Sequence, residues 1–270
     1  MNWLSYVRDN WLKAGMLLRS PGATRFSLNR ALWDIGYPWT HLTPTPLDRL
    51  FPGIVAHPAT LELVRPFDRQ RGTSVELEEL IVILAIQRFT NATRVAEVGT
   101  FDGNTTIHLA LNAGPDGRVV TIDLPPEGAD TTDYARTGRP APFARRQYDR
   151  HPAASRIRQV LGDSAVLDWS TLGGPFDLVF IDGDHRAEYV RADTKNALGS
   201  LRPGGLILWH DYEYRSVSGV LDPAARAGER IHWIRGTRIA LGIFDSPDRS
   251  IRHFESATAP EDAARQPIRP

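Results

Sequence analysis

The 270-residue chain contains no cysteine. That absence excludes thiolate zinc sites, iron–sulfur clusters, disulfide frameworks and cysteine nucleophiles. It also lacks an excess of either charge: 32 Lys and Arg balance 32 Asp and Glu, and Lys13 and Lys195 are the only lysines. A balanced chain carries no electrostatic footprint for nucleic acid or for an anionic membrane surface, so neither is expected as a partner. Long apolar runs are missing too. The longest aliphatic stretch, Leu80 to Ile86 (LIVILAI), falls far short of the ~20 residues that a spanning helix needs. The opening MNWLSYVRDNWLKAGMLLRS interleaves charges with apolar residues and offers no small-residue cleavage site. A cytoplasmic protein without a secretory signal is therefore expected.

What is present falls into three parts. Residues 1–72 hold four of the seven tryptophans, Trp3, Trp11, Trp33 and Trp39. Trp3, Leu4, Val7, Trp11, Ala14 and Leu18 are near helical spacing, whereas the Pro-punctuated stretch Tyr37 to Pro58 reads as irregular. Aromatics in such an extension pack on the core, face substrate as a lid, or contact a second copy in a homo-oligomer. From Thr73 the rhythm changes. Thr73-Ser-Val-Glu-Leu-Glu reads as a helix start, with the helix running to Gln87. Strands are then expected at 94–98, 119–124, 157–161, 176–182 and 206–209, with helices at 104–113, 143–150 and 186–201. Arg202-Pro-Gly-Gly reads as the stop of the last helix. Ile231–Ile234 and Ile239–Phe244 read as an antiparallel hairpin. Alternating strands and helices imply parallel βαβ units with helices on both faces of one sheet. Residues 246–270 have little to bury, and a partly disordered tail is expected there.

Ligands of such sheets bind outside the carboxyl ends of the strands, and here those ends are polar. The first strand runs into Glu97-Val-Gly99-Thr100-Phe101-Asp-Gly103-Asn104, where two glycines four apart permit a tight turn and close approach to a ligand. Asp123 ends the second strand, twenty residues after Gly103, where an acid can accept from ribose hydroxyls. The third runs into Gly162-Asp163-Ser164, the fourth into Asp182-Gly-Asp184-His185 and the fifth into His210-Asp211-Tyr212. Any one of these acids alone would be a helix cap. Two aspartates and two histidines at adjacent strand ends make that reading poor. His108 reads as packing or surface, His41 and His57 lie in the Pro-rich stretch, and Tyr212 and Tyr214 either pack or meet substrate at the mouth of the site.

E-V-G-T-F-D-G-N-T-T, the acid of V-T-I-D-L, G-D-S, and F-I-D-G-D-H followed by L-R-P-G-G-L-I-L-W-H-D-Y resemble the class I S-adenosylmethionine (SAM)-dependent methyltransferases. Within them the chain is most similar to metal-dependent O-methyltransferases, the group with macrolide-sugar and catechol enzymes. The resemblance covers Thr73 to Phe244. It implies a Rossmann-like, doubly wound, mostly parallel seven-stranded sheet with a C-terminal antiparallel hairpin strand, in a methyltransferase domain at 73–245. It further implies that Glu97, Gly99, Thr100, Phe101 and Gly103 line the methionine part of SAM with Asn104 nearby. Asp123 would hold the ribose, Leu124 the adenine face, Asp163 and Ser164 the adenine edge. Asp182 would lie between cofactor and metal, with Asp211 a second metal ligand and His185 the general base. The position before Asp211 is a third ligand position, where relatives carry an oxygen donor; His210 departs from that. Magnesium prefers oxygen, so either His210 stands behind the ligands or the ion is one that accepts imidazole, such as manganese. The implied reaction moves methyl to a hydroxyl of a small molecule, by preference a sugar or other vicinal diol. Two rivals remain: a non-catalytic SAM-binding assembly subunit, and a NAD-dependent oxidoreductase, against which stands the absence of G-x-G-x-x-G at Gly99-Thr-Phe-Asp-Gly103.

Overall fold

The computed structural model describes residues 30–56, 58–64, 75–125, 146 and 148–256. One eight-stranded sheet organises them. Its strands are β1 (Pro44–Thr45), β2 (Arg94–Val98), β3 (Arg118–Asp123), β4 (Ile157–Leu161), β5 (Phe176–Ile181), β6 (Leu201–Trp209), β7 (Ile231–Ile234) and β8 (Ala240–Phe244). They lie in the order β1-β7-β8-β6-β5-β2-β3-β4. Besides helical residues 30–35, the α-helices are α1 (Leu47–Leu50), α2 (Leu77–Phe89), α3 (Asn104–Asn112), α4 (Ala187–Gly199), α5 (Arg215–Arg226) and α6 (Pro247–Ser256). All pairings among β2 to β6 are parallel, and β8 runs antiparallel to both β6 and β7.

The period-two alternation of side chains along a strand splits the core in two. Ala96, Val98, Val179, Ile181, Ile207 and Trp209 point to one face and meet Val190 and Leu198 of α4 and Val217, Val220 and Leu221 of α5. Their neighbours Val95, Leu178, Phe180, Leu206 and Leu208 point the other way, onto Leu80, Ile83, Leu84 and Ile86 of α2. The doubly wound arrangement expected from the alternation of elements is therefore present. Because chain order reverses direction between β2 and β5, their carboxyl ends open a crevice at the switch point.

Several elements differ from expectation. The sheet has eight strands rather than seven, because Pro44 and Thr45, in the stretch read as irregular, pair with Trp233 and Ile234 of β7. Helix α2 starts at Leu77 with Glu76 at its cap position; Thr73 and Ser74 lie outside the described residues, as do the helix expected near Trp3 to Leu18 and most of the one at 143–150, whose described end is a turn at 148–150. Arg202-Pro-Gly-Gly sits inside β6, not before it. Phe176 faces Leu201 while Leu178 faces Leu206, so the extra residues bulge out of register. Helix α5 escapes a reading of Pro and Gly as punctuation, since Gly219 and Pro223 lie within it, although Val217, Val220, Leu221 and Ala224 keep helical spacing. The tail boundary at 245 leaves out α6, whose Phe254 is buried with its ring 6.4 Å from that of Trp209. No helix among the described residues is long and apolar enough to cross a membrane.

The docking of α6 can be measured. Phe254→Ala removes a fully buried ring and should lower the unfolding free energy by ~3–5 kcal/mol in a denaturant titration. A loss below ~0.5 kcal/mol, typical of surface positions, would mean that α6 does not pack there.

Candidate active site

The turn after β2 is held open by backbone constraints. Gly99 has φ +94°, and a Cβ there would stand 2.2 Å from the carbonyl oxygen of Asp182, so the β2 and β5 tips approach as closely as only glycine allows. Phe101 also takes a positive φ, 48°. Its amide donates to Asp123 Oδ2 at 3.2 Å, and Leu124 N–H donates to Asp123 Oδ1 at 3.0 Å. Gly103 caps the start of α3 and faces the Tyr148 ring.

Around that turn lie buried polar atoms without protein partners. Glu97 is fully buried. Its Oε2 accepts from Thr106 Oγ1 at 2.5 Å and from Thr121 Oγ1 at 2.6 Å, whereas Oε1 has no partner. Burial outweighs the two threonine hydrogen bonds and pushes the Glu97 carboxyl up to about 8. Both amide atoms of the buried Asn104 are likewise unpartnered. Groups of this kind cost free energy unless something satisfies them, and a polar, cationic ligand suits both. Thr100 joins the network through Thr121, with their hydroxyl oxygens 2.6 Å apart. On the far side, Asp163 Oδ1 accepts from Ala165 N–H, and Ser164 gives its carbonyl to Trp169 Nε1 and Asn196 Nδ2.

The second half of the site is a cluster of acids and imidazoles. The pairing of Ile181 with Trp209 sets the β5 and β6 tips side by side. Asp182, His185 and Asp211 can each bring a ligand atom within 4.8 Å of the others. His185 Nε2 is 3.1 Å from Asp211 Oδ2 and 3.8 Å from Asp182 Oδ1. His210 Nδ1 is 3.0 Å from Asp182 Oδ1 and 3.4 Å from Asp211 Oδ1. Asp211 holds this position at φ +52°, unusual for a non-glycine residue. Burial alone would raise the Asp211 carboxyl; the charge of His210, hydrogen bonds from both histidines and Arg238 overcome it and hold it well below the usual carboxylate range. Burial would likewise lower His185, but hydrogen bonds to Asp182 and Asp211 and their charges push it up to about 9. Spacings near 3 Å are what neighbouring ligands of an octahedral cation with bonds of about 2.1 Å require. With two carboxylates aimed inward and Nδ1 of His210 facing both of them, the donor set fits a divalent cation.

The glycine turn, Asp123 and the acid–imidazole cluster thus all lie at the carboxyl ends of β2, β3, β5 and β6, and His41 and His108 stand apart from them. His41 is tied by its backbone to Asp222, and His108 fastens the backbone of Val64 to α3. Sequence reasoning missed Glu79, Arg238 and Arg146. Glu79 bonds His210 and Arg238 across 131 and 159 positions, and Arg146, in the stretch read as a helix over 143–150, reaches Asp123 Oδ2 at 3.2 Å. No local signal marks them.

A carboxyl raised from 4.5 to about 8 by folding stabilises the fold below its unfolded value and loses that contribution as pH climbs through the folded one. Wild-type protein should therefore lose unfolding free energy relative to Glu97→Gln between pH 4.5 and about 8. Denaturant titrations across that window check it, and parallel pH profiles would contradict the assignment.

Comparison with known proteins bears on this geometry. Residues 96–212 match the family model described as a methyltransferase domain. A catechol O-methyltransferase of Mycobacterium tuberculosis is 42% identical over 93 residues, 34% of this chain and 37% of that protein. The demethylmacrocin O-methyltransferase of Streptomyces fradiae is 31% identical over 125 residues, 43% of this chain and 28% of that protein. The chain thus spans well under half the length of either relative. Cofactor-bound Rv0187 from MTB superimposes with a TM-score of 0.49 at 26% identity, covering 75% of this chain and 99% of that one. The family match runs from the glycine turn through Asp211 and Tyr212, so Asp182, His185, His210 and Asp211 all fall within the stretch that is similar to a methyltransferase domain.

Proposed function

We propose that the chain moves the methyl group of SAM to a hydroxyl of a small molecule, with a divalent cation, magnesium or manganese, and His185 assisting. The observation that carries this reading is the convergence of Asp182, His185 and Asp211 on one point beside the glycine turn, with His210 Nδ1 against both carboxylates. The relatives' names, a catechol and a demethylmacrocin O-methyltransferase, support oxygen as the acceptor atom. A sugar or other vicinal diol, in natural-product or glycan synthesis, is the acceptor we favour, since two neighbouring hydroxyls can chelate one ion.

In this reading Glu97, Gly99, Thr100, Phe101, Gly103 and Asn104 surround the methionine end of SAM. The unpartnered Glu97 Oε1 and the Asn104 amide suit its ammonium and carboxylate. Asp123 takes the ribose, Leu124 the adenine face, and Asp163 and Ser164 the adenine edge. Asp182 and Asp211 hold the cation, with His210 Nδ1 beside them. When bound, SAM supplies an electrophilic methyl group and the cation supplies a Lewis acid that lowers a hydroxyl pKa. The chain's own residues do the rest. His185, more exposed than His210, takes the hydroxyl proton on its imidazole. Its basicity depends on the two carboxylates that now hold it up at about 9; neutralising them returns it to a range where it can accept a proton near neutral pH. Tyr214, 47% exposed, meets the His185 ring edge-on at 5.2 Å. It offers an apolar face against which an acceptor can be aligned, and alignment is a large part of such a rate enhancement.

Three measurements check the reading. His185→Gln should lower kcat by about 10²–10⁴-fold while the demethylated product of SAM still raises Tm. Excess chelator or Asp211→Ala should suppress turnover, and full activity in either would remove the cation from the mechanism. NAD should leave Tm unchanged; stabilisation by NAD and not by SAM product would instead favour an oxidoreductase.

A further inference from the structure

Glu79 receives more than a helix cap needs. It is 1% exposed, in the first turn of α2, and its carboxylate takes five donors. Oε1 accepts from Arg238 N–H at 2.8 Å and from Arg238 Nε at 3.1 Å. Oε2 accepts from Arg238 Nη2 at 2.6 Å, His210 Nε2 at 3.1 Å and Glu76 N–H at 3.3 Å. Each long-range partner then turns its other end to an acid of the cluster. Arg238 Nη1 donates to Asp211 Oδ1 at 2.9 Å, and His210 Nδ1 stands 3.0 Å from Asp182 Oδ1. Trp33 lies under the guanidinium, 5.5 Å from ring centre to Cζ, and fixes its plane.

We infer that Glu79 is the positioning residue of the cation site, acting through His210 and Arg238 on Asp182 and Asp211. An ionised carboxylate only accepts, so Glu79 takes the Nε2 hydrogen of His210 and holds the ring with Nδ1 facing Asp182 and Asp211. Imidazoles at metal sites commonly donate their remote N–H to a carboxylate in this way, which fixes the ring and its tautomer. Arg238 occupies Asp211 Oδ1 and leaves Oδ2 for the shared point with His185. Glu79 has an electrostatic duty as well. A half-buried guanidinium 2.9 Å from Asp211 would repel an incoming cation if nothing cancelled its charge, and the two-toothed pairing with Glu79 does so. This assignment rests on the cation reading proposed above.

Titration of the whole protein with Mn2+, in the presence of demethylated SAM and followed by calorimetry and by the Mn2+ spin-resonance spectrum, tests it. Glu79→Gln should weaken Mn2+ binding by about 10–100-fold and alter the spectrum of what remains bound. Affinity for demethylated SAM, whose pocket Glu79 does not touch, should stay unchanged. Removing the uncompensated guanidinium as well, in Glu79→Gln/Arg238→Gln, should recover part of the loss, with binding tighter than the single variant and weaker than wild type. A residue with only a scaffolding role predicts the reverse, a further loss in the pair. The pair also keeps the test open if the single variant does not fold, because no uncompensated guanidinium remains; wild-type affinity in the pair would then overturn the assignment. Wild-type Mn2+ affinity in a folded Glu79→Gln would overturn it while leaving the cation reading standing. Absence of Mn2+ binding by the unaltered protein would sink both.

Discussion

The parallel pairing of β5 with β6 is the constraint on which the site depends. With Ile181 opposite Trp209, the first residues past each strand, Asp182 on one and His210 and Asp211 on the other, are forced together. A slip of one residue would turn every side chain of the strand to the opposite face. That slip is resisted by the core. Val179 and Ile181, like Ile207 and Trp209, are buried on one face, while Leu178, Phe180, Leu206 and Leu208 are buried on the other. The positions of the polar residues are thus fixed by apolar neighbours that do no chemistry.

That register places like charges side by side in a dry setting, which is costly unless compensated. The fold compensates from a distance. Glu79 comes from α2 and Arg238 from the turn between β7 and β8, and with His210 they form a chain of alternating charge that ends on the two aspartates. The arrangement explains why an antiparallel hairpin at the sheet's far side bears on a site at its centre: β8 pairs with β6 and carries Arg238 back to the β6 tip. The Glu97 side of the crevice is different. There the carboxyl is surrounded by threonines, not cations, and burial governs it.

Much of this was legible in the sequence because it is local. The runs R-V-A-E-V, F-D-L-V-F-I and L-I-L-W are short and doubly apolar, as buried parallel strands must be, and Gly99 and Gly103 sit where positive φ is required. Asp182, His185, His210 and Asp211 stand out because all lie within four residues of the end of such a run. What escaped is non-local or ambiguous. Pro44 and Thr45 become a strand only because β7 offers an edge. Arg202-Pro-Gly-Gly looks like a stop, yet neighbouring pairs on both sides carry it through as a bulge in β6. Pro223 and Gly219 disguised α5, whose apolar face was visible in its spacing. Glu79 resembles any acid in a first helical turn, and nothing short of the tertiary fold could have tied it to His210.

The central claim is that the β5 and β6 tips share one cation beside the cofactor crevice. A crystal structure of the protein grown with Mn2+ and demethylated SAM, with anomalous scattering recorded at the manganese edge, tests this most directly. The account predicts a single strong anomalous peak within bonding distance of both Asp182 and Asp211, next to a nucleoside whose ribose meets Asp123. Demethylated SAM in the crevice with no anomalous peak between those aspartates would contradict it.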